Sequence, residues 1–106
     1  MTAFSDPASN PIARQSATAS APLRHAAGLH ARPAVKLTKL AKKFASRISL
    51  AASAEGPWID AKSIVKLMAA KIPRDSLIVF RADGADAQAA VDALVSLVER
   101  DFPDER

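Results

Sequence analysis

The run Leu77-Ile78-Val79-Phe80-Arg81 constrains the fold more than any other stretch of this chain. It is too short for a helix and rich in β-branched and aromatic side chains. It lies between a polar loop, 71–76, and a turn signal, Ala82-Asp83-Gly84-Ala85. So apolar a strand belongs at the centre of a sheet. The chain is 106 residues long, enough for one domain with a modest two-layer core. The remaining segments must therefore supply both the sheet partners and the second layer.

Two stretches carry a helical period. From His30 or Ala31, residues Pro33, Leu37, Leu40, Ala41 and Phe44 share one face, while Arg32, Lys36, Lys39 and Lys43 share another. Proline fits there because a first-turn residue needs no N–H. Over about 85–101, Ala87, Ala90, Val91, Leu94 and Val98 repeat at amphipathic spacing, and Pro103 is expected to end the helix. A shorter apolar helix, Ile64-Val65-Lys66-Leu67-Met68-Ala69, follows Ser63 in the N-cap position. Strand patterns appear at 47–52, where Ile48 and Leu50 alternate with Ser49, and at 58–61. The Gly56-Pro57 turn between them makes a hairpin. Residues 21–27 read as a short strand that Pro22 confines to an edge. The order β-α-β-β-α-β-α predicts an α+β domain, a four-stranded antiparallel sheet with helices on one face.

Residues 1–20 are rich in Ala, Ser and Pro and show no apolar period, so they read as a flexible tail ahead of a domain over 21–106. They contain no basic cluster followed by an apolar core, as a secretory signal would. No stretch approaches the roughly 20 apolar residues of a membrane span. A cytoplasmic location is expected. The lack of cysteine agrees with it and removes disulfides, thiolate chemistry and sulfur metal sites. The net charge of +4 calls for an acidic partner of some kind. A nucleic-acid-binding domain is one reading, but base-stacking aromatics are scarce, with no Tyr and one Trp.

The stretch Gly28-Leu29-His30-Ala31-Arg32-Pro33-Ala34 places an imidazole where a helix begins. First-turn N–H groups have no intrahelical partner, and the dipole puts partial positive charge there, which suits phosphate. The same field disfavours imidazolium and keeps a ring nitrogen nucleophilic. A phosphoryl group on His30 would meet the backbone N–H groups of about Ala31 and Arg32, and the Arg32 guanidinium could engage two phosphate oxygens. Gly28 lets the preceding backbone turn tightly. A small hydrolase using such a site would need a water-orienting residue beside His30, and none stands nearby in sequence. His25 lacks a third ligand type for a metal site and reads as structural or exposed. No metal and no cofactor are expected.

These residues resemble the active-site signature of the histidine-containing phosphocarrier (HPr) family of the phosphoenolpyruvate-dependent phosphotransferase system. Ala61-Lys62-Ser63-Ile64-Val65-Lys66-Leu67-Met68 is similar to the family's second motif, around a regulatory serine, and Ala82-Asp83-Gly84-Ala85-Asp86-Ala87 to its turn into the last helix. The resemblance covers about 22–101. It implies an open-faced β-sandwich with three helices on one face of the sheet. It also implies a monomeric phosphoryl-transfer carrier rather than a stand-alone enzyme. His30 would accept a phosphoryl group from enzyme I, on its δ1 nitrogen, and pass it to a IIA-type acceptor, with Arg32 neutralising charge. The acceptor could serve sugar uptake, nitrogen-related regulation or a dihydroxyacetone kinase.

The partner surface implied is an apolar centre with a basic rim. Ala31, Arg32, Val35, Lys39 and Lys42 from the first helix would join Ile64, Val65, Lys66, Met68 and Ala69 from the second. Ser63 would be the target of an HPr kinase, where a phosphate would oppose docking, although as an N-cap it needs no such role. The chain departs from the family before the fourth strand. Lys71 and Asp75, with Pro73 between, stand where several members have glycine, and this leaves the turn geometry open.

Overall fold

A computed structural model describes residues 15–25 and 28–103. The strands are β1 (Ser16–Pro22), β2 (Arg47–Ala51), β3 (Ile59–Asp60) and β4 (Leu77–Asp83). The helices are α1 (Ala31–Ala41), α2 (Ile64–Ala70) and α3 (Ala87–Glu99). The four strands form one sheet in the order β1-β4-β2-β3, every pair antiparallel. As the apolar run requires, β4 is central. Thr18 pairs with Arg81 on one side and Ser49 pairs with Arg81 on the other. The order β-α-β-β-α-β-α and the open α+β architecture are those expected.

Alternation decides which face is covered. Ala17 and Ala21 of β1, Ile48 and Leu50 of β2, and Ile78, Phe80 and Ala82 of β4 are buried. The helices lie over this face. Each of Ala87, Ala90, Val91, Leu94 and Val98 of α3 is buried, and α3 packs on β1, β4 and β2. Pro33, Ala34, Leu37, Thr38 and Ala41 of α1 are buried as well, and α1 packs against α2 and α3. On the opposite face Arg81 lies over the Trp58 ring, 4.1 Å from its centroid.

The first strand departs from expectation. It runs over Ser16–Pro22, not 21–27, so part of the expected tail belongs to the sheet; residues 1–14 lie outside those described. The period is present, with Ala17, Ala19 and Ala21 alternating with Ser16, Thr18 and Ser20. Alanine against serine gives little hydrophobic contrast, and small residues suit a strand on which α3 packs closely. Pro22 does sit on an edge strand, at its end.

Two connections are held by unusual backbone. In the loop 71–76, Lys71 (φ 51°) and Asp75 (φ 72°) both adopt the left-handed conformation. This answers the open question: the loop keeps a geometry suited to glycine and carries side chains there, at about 1 kcal/mol or more apiece. Helix α3 ends four residues short of Pro103. Asp101 (φ 57°) and Phe102 (φ 53°) turn left-handed, and the Phe102 N–H donates to the Leu97 carbonyl at 2.9 Å.

At the other end of α3, Asp86 reaches across to the α1–β2 connection. Its carboxylate accepts the N–H groups of Ala45 and Ser46, both at 2.9 Å, and the Ser46 hydroxyl. The Ser46 hydroxyl first, then the Ala45 N–H, hold the Asp86 carboxyl below its ordinary pKa. Gly84 makes this approach possible, since a Cβ on it would lie 2.5 Å from Ser46 Oγ.

Candidate functional site

The site is built on the start of α1. Burial of Pro33, Ala34 and Leu37 fixes the helix against the core and leaves its first residues, Ala31 and Arg32, exposed. His30 is the N-cap residue, with extended backbone (φ −100°, ψ −163°). Its carbonyl accepts the first intrahelical bond, from the Ala34 N–H at 2.9 Å. The N–H groups of Ala31 and Arg32 lie ahead of that bond, and Pro33 has none to satisfy. No acidic side chain stands in the first turn. The positive end of the helix is thus not offset locally by a carboxylate. The His30 imidazole makes no capping hydrogen bond, so it is not spent on the helix.

Gly28 sets the approach to His30. Its φ is 77°, and a Cβ there would meet the Ile72 carbonyl oxygen at 2.7 Å and the Arg74 nitrogen at 3.0 Å. Any side chain would collide with the backbone of the 71–76 loop. Its N–H donates to the His25 carbonyl at 2.9 Å, and its own carbonyl accepts the His30 N–H at 3.0 Å. Next to it, buried Leu29 donates its N–H to the Ile72 carbonyl at 2.9 Å. That loop is tied back to the end of β1 too. The Leu23 N–H donates to the Ser76 carbonyl at 2.8 Å and the Asp75 N–H to the Leu23 carbonyl at 2.7 Å.

The imidazole has a ring neighbour. His25 packs edge-on against His30, with centroids 5.0 Å apart and planes at 60°. His25 in turn meets Phe102 at 6.1 Å and 75°. A cleft of about 280 Å³ opens beside them, lined by His25, Arg32, Pro33, Lys36, Phe102 and Pro103. Lys36 Nζ donates to the Phe102 carbonyl at 2.8 Å. From its sequence position alone His25 reads as structural or exposed, with no part in the site; in the fold it is half-buried beside His30. A separation of five residues indicates no contact until the Gly28 turn brings the two rings together. Among the described residues no cluster of His, Cys, Asp or Glu could hold a metal.

The second motif lies at α2. Ser63 is its N-cap, and the hydroxyl oxygen accepts the Lys66 N–H at 3.3 Å. Val35, Val65 and Met68 are large apolar side chains left exposed. Met68 is therefore not core. Lys39, Lys42, Lys66 and Ala69 are exposed too, whereas Ile64 is half-buried and packs on the core. Contact between α1 and α2 brings the two sets onto adjoining helices.

Fold and site together define a small α+β domain that offers one histidine ring at a helix start. The family model "PTS HPr component phosphorylation site" matches residues 17–100. The phosphocarrier protein HPr of Cupriavidus necator is 41% identical over 75 residues, which cover 71% of this chain and 82% of that protein. A multiphosphoryl transfer protein of Vibrio cholerae is 36% identical over 85 residues, 79% of this chain and 21% of that longer protein. Among solved structures, HPr-C-His from Thermoanaerobacter tengcongensis superposes with a TM-score of 0.75 at 31% identity, covering 85% of this chain and 99% of that one. A mycoplasma histidine-containing phosphocarrier protein gives 0.73 at 36%, covering 84% and 100%. The chain belongs to the HPr family of phosphotransferase-system phosphocarriers.

Proposed function

We propose that this chain carries phosphoryl groups on His30 between enzyme I of the phosphotransferase system and a IIA-type acceptor, in the cytoplasm. The observation that carries the reading is His30 at the start of α1, its ring unused by the helix and the Ala31 and Arg32 N–H groups ahead of the first helical bond. A lone pair on the His30 ring, on δ1 as in the family, attacks the phosphorus of the donor phosphohistidine. One P–N bond forms as another breaks, and the bonding pair leaves with the donor imidazole. Equal bond types on the two sides make the step close to reversible, as a carrier needs. The helix start and the Arg32 guanidinium stabilise charge on the phosphoryl oxygens in transit, since such transfer is mostly positioning and electrostatics.

The exposed Val35, Val65 and Met68, with Lys39, Lys42 and Lys66 around them, form the docking surface in this reading. Apolar contacts supply binding energy and the lysines steer an acidic partner. A phosphate on Ser63 would bring negative charge beside Val65 and Lys66 and weaken docking.

Incubation with enzyme I and phosphoenolpyruvate, followed by intact mass, tests the proposal. One added phosphate is expected, lost in acid and absent in His30→Ala. An acid-stable product, or labelling that survives His30→Ala, overturns it. Onward transfer to sugar-branch, nitrogen-branch or dihydroxyacetone-branch acceptors then identifies the recipient.

A further inference from the structure

The His30 ring needs a defined orientation to present one nitrogen in line with an incoming phosphorus, yet no capping hydrogen bond supplies it. A second imidazole does touch it. Gly28 bonds to both histidines through its backbone, donating to the His25 carbonyl and accepting from the His30 N–H. This turn sets the two rings edge-on at 5.0 Å. Behind His25 stands Phe102, which is buried and locked by the left-handed end of α3, its N–H on the Leu97 carbonyl and its own carbonyl on Lys36 Nζ. The series runs from the end of α3 through Phe102 and His25 to His30, each ring backing the next.

One further feature separates His25 from an ordinary polar residue of a loop. Its Nδ1 is buried and has no hydrogen-bond partner among the described residues. A buried polar atom without a partner is uncommon and costs stability. Among the described residues, the ring's aromatic neighbours are His30 and Phe102, and no hydrogen bond through Nδ1 adds to them. We propose that His25 is a positioning residue for phosphoryl transfer, its ring fixing the orientation of the His30 imidazole. The inference rests on His30 being the phosphoryl acceptor. The groups facing His25 are the His30 ring, the Phe102 ring and, across the cleft, Arg32 and Lys36. The effect is steric, so a planar ring of similar size should replace it.

The test compares the full-length chain with His25→Ala and His25→Phe. Rates of phosphoryl uptake from enzyme I are measured at varied carrier concentration, alongside thermal unfolding and His30 side-chain rotamer populations from NMR couplings. His25→Ala should slow the maximal rate by about three- to tenfold, the bias an aromatic pair of ordinary strength supplies, with KM for the carrier little changed. The His30 rotamers should average in the same variant. His25→Phe should return both readings to within about twofold of wild type. Should His25→Ala unfold, His25→Leu, which fills the space without a planar ring, takes its place. An unchanged rate in the ring-less variant overturns the proposal, as does a rate that His25→Phe fails to restore. A wild-type chain that takes no phosphate sinks the reading of His30 instead, whatever the His25 variants do.

Discussion

The starts of α1 and α2 carry polar side chains in the same N-cap position and use them in opposite ways. Ser63 turns its hydroxyl inward and accepts the Lys66 N–H, so the side chain completes its own helix. His30 contributes only its carbonyl, and its ring points away from the capping role to meet His25. A residue that stabilises the helix cannot be altered without loss of stability. A residue that leaves the helix unserved is available for chemistry. The contrast separates an N-terminus closed by its own side chain from one left open, and the proposed function places the chemistry at the open one.

Replacing the two side chains is the strongest way to break the contrast. His30→Ala is expected to abolish phosphate uptake while shifting stability by less than about 1 kcal/mol, because no cap is lost. Intact mass and thermal unfolding on the same sample check both halves. Arg32→Ala sharpens it next. The loss of a charge-assisted contact to phosphate should slow transfer about ten- to a hundredfold, with the melting temperature little moved. Quench-flow rates with enzyme I read this, and an unchanged rate would remove Arg32 from the site. Ser63→Ala should do the reverse. Stability should fall by about 1 kcal/mol, or roughly 4–8 °C in Tm, with uptake on His30 retained.

The smallest effect lies at the third helix start and is read from the loss of stability in acid. Asp86 has a lower pKa folded than unfolded, owing first to the Ser46 hydroxyl and then to the Ala45 N–H. Its stabilisation is complete above the ordinary value of 3.8 and is lost as pH falls through the folded value. Asp86→Asn should destabilise the chain at neutral pH and flatten that acid limb. Urea titrations across the acid range test it. An acid limb as steep in the variant as in wild type would assign the dependence to other carboxylates.

Much of this was legible in the sequence because it depends on period. The buried face of α3 is the set Ala87, Ala90, Val91, Leu94 and Val98, and the apolar run at 77–81 lies between two partner strands. The start of α1 at Ala31 followed from Pro33 and the spacing of Leu37 and Ala41. What escaped depends on contrast or on distance. Strand β1 alternates alanine with serine and threonine, a period with almost no hydrophobic amplitude. Asp101 and Phe102 turn left-handed without glycine, so composition carried no sign of them, and at Lys71 and Asp75 the replacement of glycine was visible but not the left-handed turn that persists there. The Asp86 clamp and the His25 contact join residues that only the folded backbone brings together. Sequence pointed to His30, but not to the ring packed against it.

The hydrogen bonds from Leu23 and Leu29 to the 71–76 loop have a consequence for where this chain can change length. Two connections contain a proline and read as turn or loop in sequence: 52–58, between β2 and β3, and 71–76, before β4. The first is exposed over 52–55 and at Pro57, and its Gly56 N–H donates to the Ser53 carbonyl within the loop itself. The second is bonded at Ile72, Asp75 and Ser76 to two other segments and presses on the side-chain-free Gly28. Inserted residues or a fused tag should be absorbed at 52–58 with the site intact. The same insertion at 71–76 would push the Gly28 turn out of place and misalign His30, though it lies far from that histidine in the chain.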